Sequence, residues 1–565
     1  MKTLLPIRSI ILFAVSAAIF FGPQSAIAIQ TSGDEHPSAS GESMGSYFRQ
    51  TSGSAIGSSV QQTGAVLTGG SLATEQKPTS YVASRTDLLD VQEAGRIAGD
   101  ESVVPHPDLE TDLAKVPASD AKKSSEEDPL KMTAKWNHGI ELQSADKKFK
   151  VHVGGRVQLD SSWYGLPQSV NNNINIPYGD GVDFRRARLR ADGTMYETID
   201  WAAEFDFVNS ARVRNQPVSA TNPGFFDEAL SAPTDLWIQF RELPRFGAVR
   251  IGNQKEAIGF EHLTSSRFLP FMERSFNQDT FYGGNFNGFA PGIQVTKTYG
   301  CDEVGVIQYG IFKPVNNVFS FNTGDGDYSL VSRFTRLLNY EEEGQRLTHV
   351  GLSFRNATGV SQAGVPGRIQ GFRTRDALRA GLSTDWPVPA GISLFGDEVR
   401  WLNGEFVMVR GQWTLQSEYL FSFYNDARTT FAGPDVGTVT YHGGYIQVLR
   451  YLTCDYDHYN KKTGVFERVV PTNNFVRCGT TSDGSCGGWG AWQAGLRYNY
   501  LDLNDEGLNG GQLHNLTWGL NWYLNPNLKF QWNYITTYRN VDDVPAFSAG
   551  SGVVHGVGMR VAFDF

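Results

Sequence analysis

The sequence predicts an all-β protein: a sixteen-stranded antiparallel transmembrane β-barrel with in-folded loops, preceded by a disordered N-terminal tail. Three observations predict this fold. The chain opens with an export-type leader, its body alternates apolar and polar side chains at a period of two, and aromatic residues make up 12% of its 565 residues against 19% charged residues. A mean hydropathy of −0.31 excludes a polytopic helical membrane protein, and four Cys residues exclude a disulfide-dense scaffold.

The N-terminus has the three parts of a secretory signal peptide. Lys2 and Arg8 are the positive region, Ile10 to Phe21 is the apolar region, and Ala26-Ile27-Ala28 supplies small residues for cleavage. The alternative is a membrane anchor, but a spanning helix needs about 20 apolar residues. We therefore expect residues 1–28 to be a signal peptide that directs export.

A low-complexity segment follows at 29–147. It is rich in Ser, Gly, Thr, Ala and acidic residues, a composition that buries too little apolar surface to fold alone. We expect a mostly disordered periplasmic tail. A solvated linker and a tail that binds the cell wall or a periplasmic partner are both compatible with it, and no partner is identified.

The body of the chain, 148–565, reads as strands with one apolar and one polar face. Trp518, Leu520 and Trp522, for example, alternate with the polar Asn521. A soluble sandwich and a membrane barrel both use such strands, with the polarity reversed between them. The leader, the aromatic residues near strand ends and the final strand ending in Phe565 favour the barrel.

Counting back from Phe565, with that end taken as periplasmic, gives sixteen strands, the even number expected of bacterial barrels. The segment 367–375 also alternates, but an even count assigns it to a loop. A 34-residue connection, 454–487, falls on the periplasmic side and is expected to fold into or across the pore.

The predicted strands are 148–163, 183–195, 200–208, 234–242, 247–255, 290–298, 303–312, 328–337, 346–355, 392–402, 405–424, 438–453, 488–501, 512–525, 528–540 and 553–565. The predicted periplasmic turns are Tyr196–Thr198, Pro244–Phe246, Gly300-Cys301, Asn403-Gly404 and Asn525-Pro526-Asn527.

Arginine rows carry the functional signal. Arg186, Arg188 and Arg190 share one face of a predicted strand, and charge on a lipid-facing surface costs several kcal/mol, so they are expected to line the lumen. Guanidinium forks bind phosphate oxygens, and rows of weak cationic sites make anion pores. The further candidates are Arg156 and Arg250 on polar faces, Arg267 and Arg274 in loop 256–289, and Arg368, Arg373 and Arg375 in loop 356–391.

The alternative is that lumenal acids such as Glu204 and Asp206 neutralise these arginines. The charge balance leaves this open, because the net charge is −10, while 148–565 contains 29 Arg and only 8 Lys. A nucleic-acid-binding domain usually has a raised pI, so we expect no nucleic-acid partner.

Eight segments together resemble the phosphate-selective porin O and P family of outer-membrane channels, over most of 148–565. The segments are Phe184-Arg-Arg-Ala-Arg-Leu189, Asn253-Gln-Lys-Glu256, Leu263-Thr-Ser-Ser266, Phe271-Met-Glu-Arg274, Lys462-Thr-Gly-Val-Phe466, Gly487-Gly-Trp-Gly-Ala-Trp492, Tyr498-Asn-Tyr-Leu-Asp-Leu-Asn504 and Gly519-Leu-Asn-Trp-Tyr-Leu-Asn-Pro526.

The resemblance implies a homotrimer of barrels in the bacterial outer membrane, in contact with its lipid, with the C-terminus periplasmic. It implies passive diffusion of phosphate or other small anions through an arginine ladder, without a cofactor; a general diffusion porin of weak selectivity is the alternative. The ladder role falls on Arg156, Arg185, Arg186, Arg188 and Arg190. The loop residues Arg267, Arg368, Arg373 and Arg375 follow from the same resemblance.

Other chemistry has weaker support. One disulfide among Cys454, Cys478 and Cys486 is compatible with their shared connection, whereas a zinc site lacks clustered His residues. The G-x-S-x-G pattern occurs at Gly41–Gly45, in the low-complexity tail rather than between a predicted strand and a helix, so no nucleophile elbow is predicted. His152, Asp160 and Ser161 cannot all share one face of a strand. We therefore expect no enzymatic activity and no metal.

The arginine rows make a direct prediction. Replacing Arg186→Ala together with Arg188→Ala should lower the anion preference, because it removes two positive charges from the pore wall. The measurement is the reversal potential across a KCl gradient in a planar bilayer. An unchanged reversal potential would refute the ladder.

Overall fold

The computed structural model describes the barrel and a short segment before it. The described residues are 129–174, 177–208, 212–214, 226–229, 231–282, 288–314, 326–358, 360–362, 365–379, 388–476, 487–544 and 550–565. The expected signal peptide at 1–28, and the expected tail as far as residue 128, lie outside them.

Sixteen strands form a closed antiparallel barrel, as the sequence predicts. Each strand pairs with the next barrel strand along the chain, and the last closes on the first through Val557 opposite Trp163. The barrel strands are β3 (Phe149–Gly165), β4 (Gly181–Met195), β5 (Ile199–Asp206), β8 (Ala232–Leu243), β9 (Gly247–Lys255), β10 (Phe289–Tyr299), β11 (Gly305–Phe312), β12 (Ser329–Glu341), β13 (Arg346–Thr358), β17 (Glu398–Arg410), β18 (Trp413–Asn425), β19 (Val439–Tyr451), β22 (Ala491–Asp505), β23 (Leu508–Asn525), β24 (Leu528–Asn540) and β25 (Gly552–Asp564).

The polarity of this barrel is reversed relative to a soluble protein. Large apolar side chains such as Leu496, Trp518 and Val557 are exposed on the outer wall, whereas polar neighbours such as Gln447 and Asn515 are buried inside. A surface of this kind is stable where lipid surrounds the wall. The alternation therefore has the physical origin that the sequence indicates.

We call the end of the barrel that carries Phe565 the near end and the opposite end the far end. Four of the five predicted near-end turns are correct, but Asn403-Gly404 lies inside β17. The true turn is Gly411-Gln412, where Gly411 takes the positive φ of 58° that glycine permits. The Asn-Gly signal fails because β17 alternates without interruption from Glu398 to Arg410.

The shifted turn also corrects two predicted strands. The segment 392–402 divides between a small sheet that is separate from the barrel sheet and the start of β17, and 405–424 divides between β17 and β18. The small sheet contains 365–374. The requirement for an even number of barrel strands predicts a loop at 367–375, and this segment is indeed not a barrel strand. It alternates like a barrel strand because it too has two different faces.

The remaining elements are short. The strands are β1 (Met132–Trp136), β2 (Ile140–Ser144), β6 (Arg212–Arg214), β7 (Phe226–Ala229), β14 (Val360–Gln362), β15 (Val365–Thr374), β16 (Ala390–Phe395), β20 (Tyr459–Asn460) and β21 (Val465–Phe466). The helices are α1 (Gln168–Asn172) and α2 (Phe260–Leu263). Among the described residues, no helix is both long enough and apolar enough to cross a membrane.

The sheet begins at Met132 rather than at residue 148. The hairpin β1–β2 lies within the segment that the sequence assigns to the tail, and β2 pairs with the start of β3 through Ile140 opposite Val153. Since β25 covers only the later part of β3, the hairpin occupies the edge that β25 leaves open.

The long near-end connection folds into the lumen, as predicted. The hairpin β20–β21 packs inside the barrel against Phe260 and Leu347. Arg333 of β12 donates to the backbone oxygens of Thr463 and Gly464, at 3.2 and 2.9 Å. This connection therefore fills part of the lumen.

The lipid-facing wall can be tested with one charge. Leu496 lies near the middle of β22 on the outer face, so Leu496→Lys should destabilise the barrel by about 2–4 kcal/mol. The measurement is urea-dependent folding into lipid vesicles. The matched control is Thr296→Lys, on a lumenal cavity; an equal loss there would contradict the assigned polarity.

Candidate functional site

The loop between β9 and β10, which we call the constriction loop, is folded into the barrel and held against one side of its wall. The backbone N–H groups of Phe260 and Glu261 donate to the carboxylate of Glu418 on β18, at 2.8 and 2.7 Å. Farther along, the N–H of Met272 donates to Asn533 on β24 at 2.8 Å. The loop therefore follows the wall from β18 to β24.

Two glycines make this approach possible. Gly495 and Gly519 face the lumen, and a Cβ at either position would come within 3.0 Å of the ring of Phe271. Arg497 stacks on the same ring, with its guanidinium carbon 4.5 Å from the ring centre. Small residues on adjacent strands thus form the seat of the loop.

Glu273 is the electrostatic centre of the constriction loop. Its carboxylate accepts two hydrogen bonds from Arg185, at 2.7 and 3.0 Å, and one from Arg560 at 2.9 Å. Arg379 lies 3.3 Å away and Arg186 lies 4.0 Å away. Burial alone would raise the pKa of Glu273, but these arginines outweigh it and hold that pKa well below its usual range.

A bulge brings two consecutive arginines into the lumen. The register between β3 and β4 shifts where Gln158 pairs with Arg186 and Leu159 pairs with Phe184. The extra residue is Arg185, so both Arg185 and Arg186 are buried inside. Strict alternation would direct Arg185 to lipid. Arg186 donates to Gln158 at 2.7 Å.

The rest of the predicted ladder is paired with acids. Glu204 lies between Arg156, at 2.6 Å, and Arg188, at 3.0 Å. Arg188 also donates to Asp206 at 2.7 Å. Arg190 donates to two further carboxylates, those of Asp192 and Asp235, at 2.8 and 3.0 Å. The sequence left neutralisation by Glu204 and Asp206 open, and these contacts show it for Arg156 and Arg188.

The two predicted arginines of the constriction loop differ in their partners. Arg267 lies between Glu204 and Asp564, at 3.9 and 3.5 Å. Arg274 instead donates to the backbone oxygens of Glu261 and Thr264, at 2.9 and 2.6 Å. Burial lowers the pKa of Arg274 to about 10, which still leaves the guanidinium charged at neutral pH.

The far-end loop between β13 and β17 reaches the constriction loop through two arginines, Arg379, described above, and Arg375. Arg375 donates two hydrogen bonds of 2.8 Å to Asp279 of the constriction loop. Arg373 is exposed on β15. Arg368 lies on the same strand, opposite Ser361, and its side chain is outside the described residues. The structure thus joins Arg375 to the constriction loop.

The weaker candidates are also placed. Cys301 and Cys454 are exposed and unpaired within the described part of the chain, whereas Cys478 and Cys486 lie outside it. Among the side chains that the structure describes, no three or more of His, Cys, Asp and Glu are grouped to hold a metal.

The three residues weighed for hydrolysis do not form a triad. Asp160 accepts two hydrogen bonds of 2.6 Å from Arg560. His152 lies 3.3 Å from Asp192, and Ser161 alternates with the buried Asp160 along β3. Asp160 is thus committed to an ion pair.

An open cavity of about 920 Å³ remains between the constriction loop and the opposite side of the wall. Among the described residues, ten cationic side chains line it against six acidic ones, so the lining is positively charged. The cations are Arg156, Arg186, Arg188, Arg241, Arg245, Arg250, Lys255, Arg274, Lys297 and Lys462, and the acids are Asp200, Glu204, Asp235, Glu242, Glu303 and Glu467.

Six of the ten cavity cations have no carboxylate within ion-pair distance among the described residues, and three of these, Arg250, Lys255 and Arg274, are half-buried in the wall, whereas Arg245, Lys297 and Lys462 are exposed. Arg250 stacks on Trp237, 3.9 Å from the ring centre. Lys255 donates to the backbone oxygen of His262, and Arg274 is bound to backbone oxygens as described. No carboxylate of the described residues therefore competes with a solute for these three side chains.

Several lumenal residues were not predicted from the sequence as site residues. Lys255 lies in a segment that carried the family resemblance but was not singled out as a site residue. Arg379 and Arg560 bind the same carboxylate as Arg185 from distant parts of the chain. The alternation of β25, which places Arg560 on its polar face, was the available signal for Arg560.

Comparison with known proteins gives one family match. The family model for phosphate-selective porin O and P matches residues 151–565. Porin O of Pseudomonas aeruginosa is 25% identical over 453 residues, which cover 74% of this chain and 90% of that protein. An uncharacterized protein of Caulobacter vibrioides is 26% identical over 450 residues, which cover 77% of each chain.

Solved barrels are similar at lower identity. The structure of OprB from Pseudomonas putida has a TM-score of 0.43 and 10% identity, and the match covers 74% of this chain and 95% of that one.

The anchor at Glu273 makes a prediction with a pH dependence. Glu273→Gln should destabilise the folded protein by about 3–5 kcal/mol, because it leaves buried arginines without their carboxylate. Since the folded pKa of Glu273 lies below the ordinary 4.5, the wild-type contribution is present above that pH and is lost as the pH falls toward the folded value.

The measurement is urea unfolding of the two proteins at several pH values, with open-channel current noise as a second readout of loop mobility. Glu303→Gln, on the same cavity, removes the same charge away from the anchor. Equal behaviour of the two variants would contradict the anchoring role.

Proposed function

The chain belongs to the phosphate-selective porin O and P family and is an outer-membrane porin; on that premise we propose that it passes small anions, phosphate above all, by passive diffusion. The observation that carries the proposal is the set of unpaired cations Arg250, Lys255 and Arg274 on a cavity whose lining is positive. An anion that enters this cavity exchanges part of its hydration for fixed N–H donors.

The donors suit a tetrahedral oxyanion. A guanidinium presents a planar fork of N–H groups, while a lysine ammonium is a compact charge with three donors. Arg250 and Arg274 supply the first kind and Lys255 the second. Several separated sites of moderate strength favour passage, because a single tight site would hold the ion.

The paired arginines support this role indirectly. Arg156 and Arg188 share Glu204, so their net contribution to the potential is smaller than their number suggests. Together with Arg190 they form a polar wall of fixed donors along the cavity side of β3 and β4. We propose that Arg185, Arg186, Arg267, Arg373 and Arg375 mainly position the loops, and that Arg368 belongs to the far-end loop.

A general diffusion porin is the second candidate. The observation that favours it is the same pairing, since each ion pair removes a cation from the selectivity of the pore. The two candidates differ in phosphate block of the chloride current, which requires a site and not merely a positive lining.

Topology and assembly are part of the proposal. We propose that the near end faces the periplasm, that residues 1–28 are removed on export, and that the barrel assembles as a homotrimer without a cofactor or a nucleic-acid partner. The tail up to residue 128 remains without an assigned partner.

The test replaces unpaired cations. Lys255→Met with Arg274→Gln should shift the reversal potential toward neutrality, and it should weaken phosphate block about tenfold or more, because each hydrogen bond to a charged group contributes about 1.5–3 kcal/mol. The measurement is planar-bilayer recording across a KCl gradient with added phosphate.

The control is Arg156→Gln with Glu204→Gln, which removes an ion pair and leaves the net charge unchanged. A preserved KCl conductance shows that a variant has folded. If the unpaired-cation variant keeps its reversal potential and its phosphate block, the proposed anion site is wrong.

A further inference from the structure

Three Tyr–His hydrogen bonds lie on the outer wall toward the far end, where the pore does not use them. The hydroxyls of Tyr419, Tyr498 and Tyr534 lie 2.8, 2.8 and 2.9 Å from Nδ1 of an imidazole on the neighbouring strand. The imidazoles are those of His442 on β19, His514 on β23 and His555 on β25. We call these six residues the Tyr–His belt.

All three imidazoles point outward. His442, His514 and His555 each alternate with buried lumenal neighbours along their strands, and each retains solvent exposure. Further rings connect the pairs: Tyr500 lies 5.8 Å from His442 and 5.0 Å from His514, between ring centres. The first two pairs therefore form a continuous surface across β18, β19, β22 and β23, and the third pair follows on β24 and β25.

The belt runs level around the barrel. From Val557 of β25, the directly paired residues lead over five strand-to-strand steps to Leu415 of β18. Leu415 lies five residues closer to the near end of its strand than Val557 does. The histidines depart from this paired row in the opposite direction, toward the far end. The departure is two residues for every two strands, from His555 to His514 and from His514 to His442. The two drifts cancel, as expected for strands tilted by about 35–45°.

The level of the belt is the edge of the apolar band. On its near-end side the outward residues are apolar, as with Ile446 and Trp518. On its far-end side polar residues such as Thr440 and Gln512 appear, together with a few apolar ones such as Phe423 and Val553. Aromatic residues that carry a polar group occupy this boundary in membrane barrels because lipid headgroups begin there.

The tyrosines set the protonation of the imidazoles. A phenol is a stronger donor than a neutral imidazole, so the Tyr hydroxyl donates to Nδ1 and the imidazole proton resides on Nε2. The Nε2 atoms of His442, His514 and His555 have no hydrogen-bond partner among the described residues. They are also not buried, so a ligand can reach them. Each histidine thus presents one free N–H to its surroundings.

We propose that the Tyr–His belt binds the phosphate groups of outer-leaflet lipid. Three N–H donors at one height, on a lipid-facing wall, match phosphate oxygens that lie in a plane at the headgroup boundary. The proposal rests on the far end facing outward, as proposed above, and is independent of anion selectivity in the pore.

Two acids lie beside the belt, Asp502 and Asp505, and neutral donors hold their carboxylates without removing their charge. Asp502 faces His442 across the ladder, but its carboxylate already accepts from Tyr500 at 3.0 Å and from Gln512 at 2.8 Å. Lipid is favoured over a second copy of this chain because the belt wall is covered with bulky rings.

The experiment is native mass spectrometry of the detergent-purified protein, titrated with bisphosphorylated lipid A and with its dephosphorylated form. The wild type should bind the phosphorylated lipid preferentially. His442→Phe with His514→Phe and His555→Phe keeps the rings but removes the donors, and it should weaken phosphorylated-lipid binding about tenfold or more.

Two further variants sharpen the test. Replacing Tyr419, Tyr498 and Tyr534 by Phe should give a smaller loss, because the Nε2 proton is no longer fixed. Trp413→Phe, at the near-end rim, should change nothing. An unchanged KCl conductance shows that each barrel is intact.

The proposal is overturned if the triple histidine variant binds both lipids as the wild type does. It is overturned equally if the wild type does not distinguish the phosphorylated from the dephosphorylated lipid. A change in the mass of the assembled oligomer on removing the histidines would show that the belt is an interface between copies of the chain.

Discussion

The position of the pore depends on one buried carboxylate. Glu273 lies on a loop, yet three arginines from the wall and from a second loop converge on it. Isolated buried arginines are strongly unfavourable, so the loop and the wall are stable only together. Because the loop is held against β18 to β24, open space remains on the opposite side of the lumen. The location of the cavity is thus a consequence of where Glu273 is bound.

The same electrostatics divides the cations into two groups. Cations that meet a carboxylate, such as Arg185 and Arg375, hold the lumenal segments in place, and their charge is largely consumed in doing so. Cations held by neutral groups, such as Lys255 on a carbonyl or Arg250 on an aromatic face, have no carboxylate that competes with a solute for their N–H donors. A count of arginines therefore overstates the selectivity of such a pore, whereas the number of unpaired cations is the relevant quantity.

The sequence predicts much of the fold because each strand must satisfy lipid and water at once. Alternation, together with the requirement for an even number of strands, places sixteen strands in the right order. It fails at Asn403-Gly404, since a local turn signal competes with a longer alternating run, and at Arg185, since a bulge changes the parity of the strand. The hairpin at 132–144 was missed because it satisfies an open edge of β3 and contributes little apolar surface of its own.

The site is less predictable than the fold because its pairs join distant parts of the chain. Arg560 and Asp160 are separated by 400 residues, and no local pattern indicates which acid will neutralise which arginine.

The two faces of one strand bind ligands with different requirements. A pore ligand must leave as easily as it enters, so its donors have to be moderate and spread along a path. A lipid headgroup at the outer rim has no such requirement, so donors there can be aligned at one level and fixed by a partner, as the tyrosines fix the imidazoles. Because adjacent residues of a strand point to opposite faces, these two arrangements of N–H donors evolve and can be altered independently within the same barrel wall.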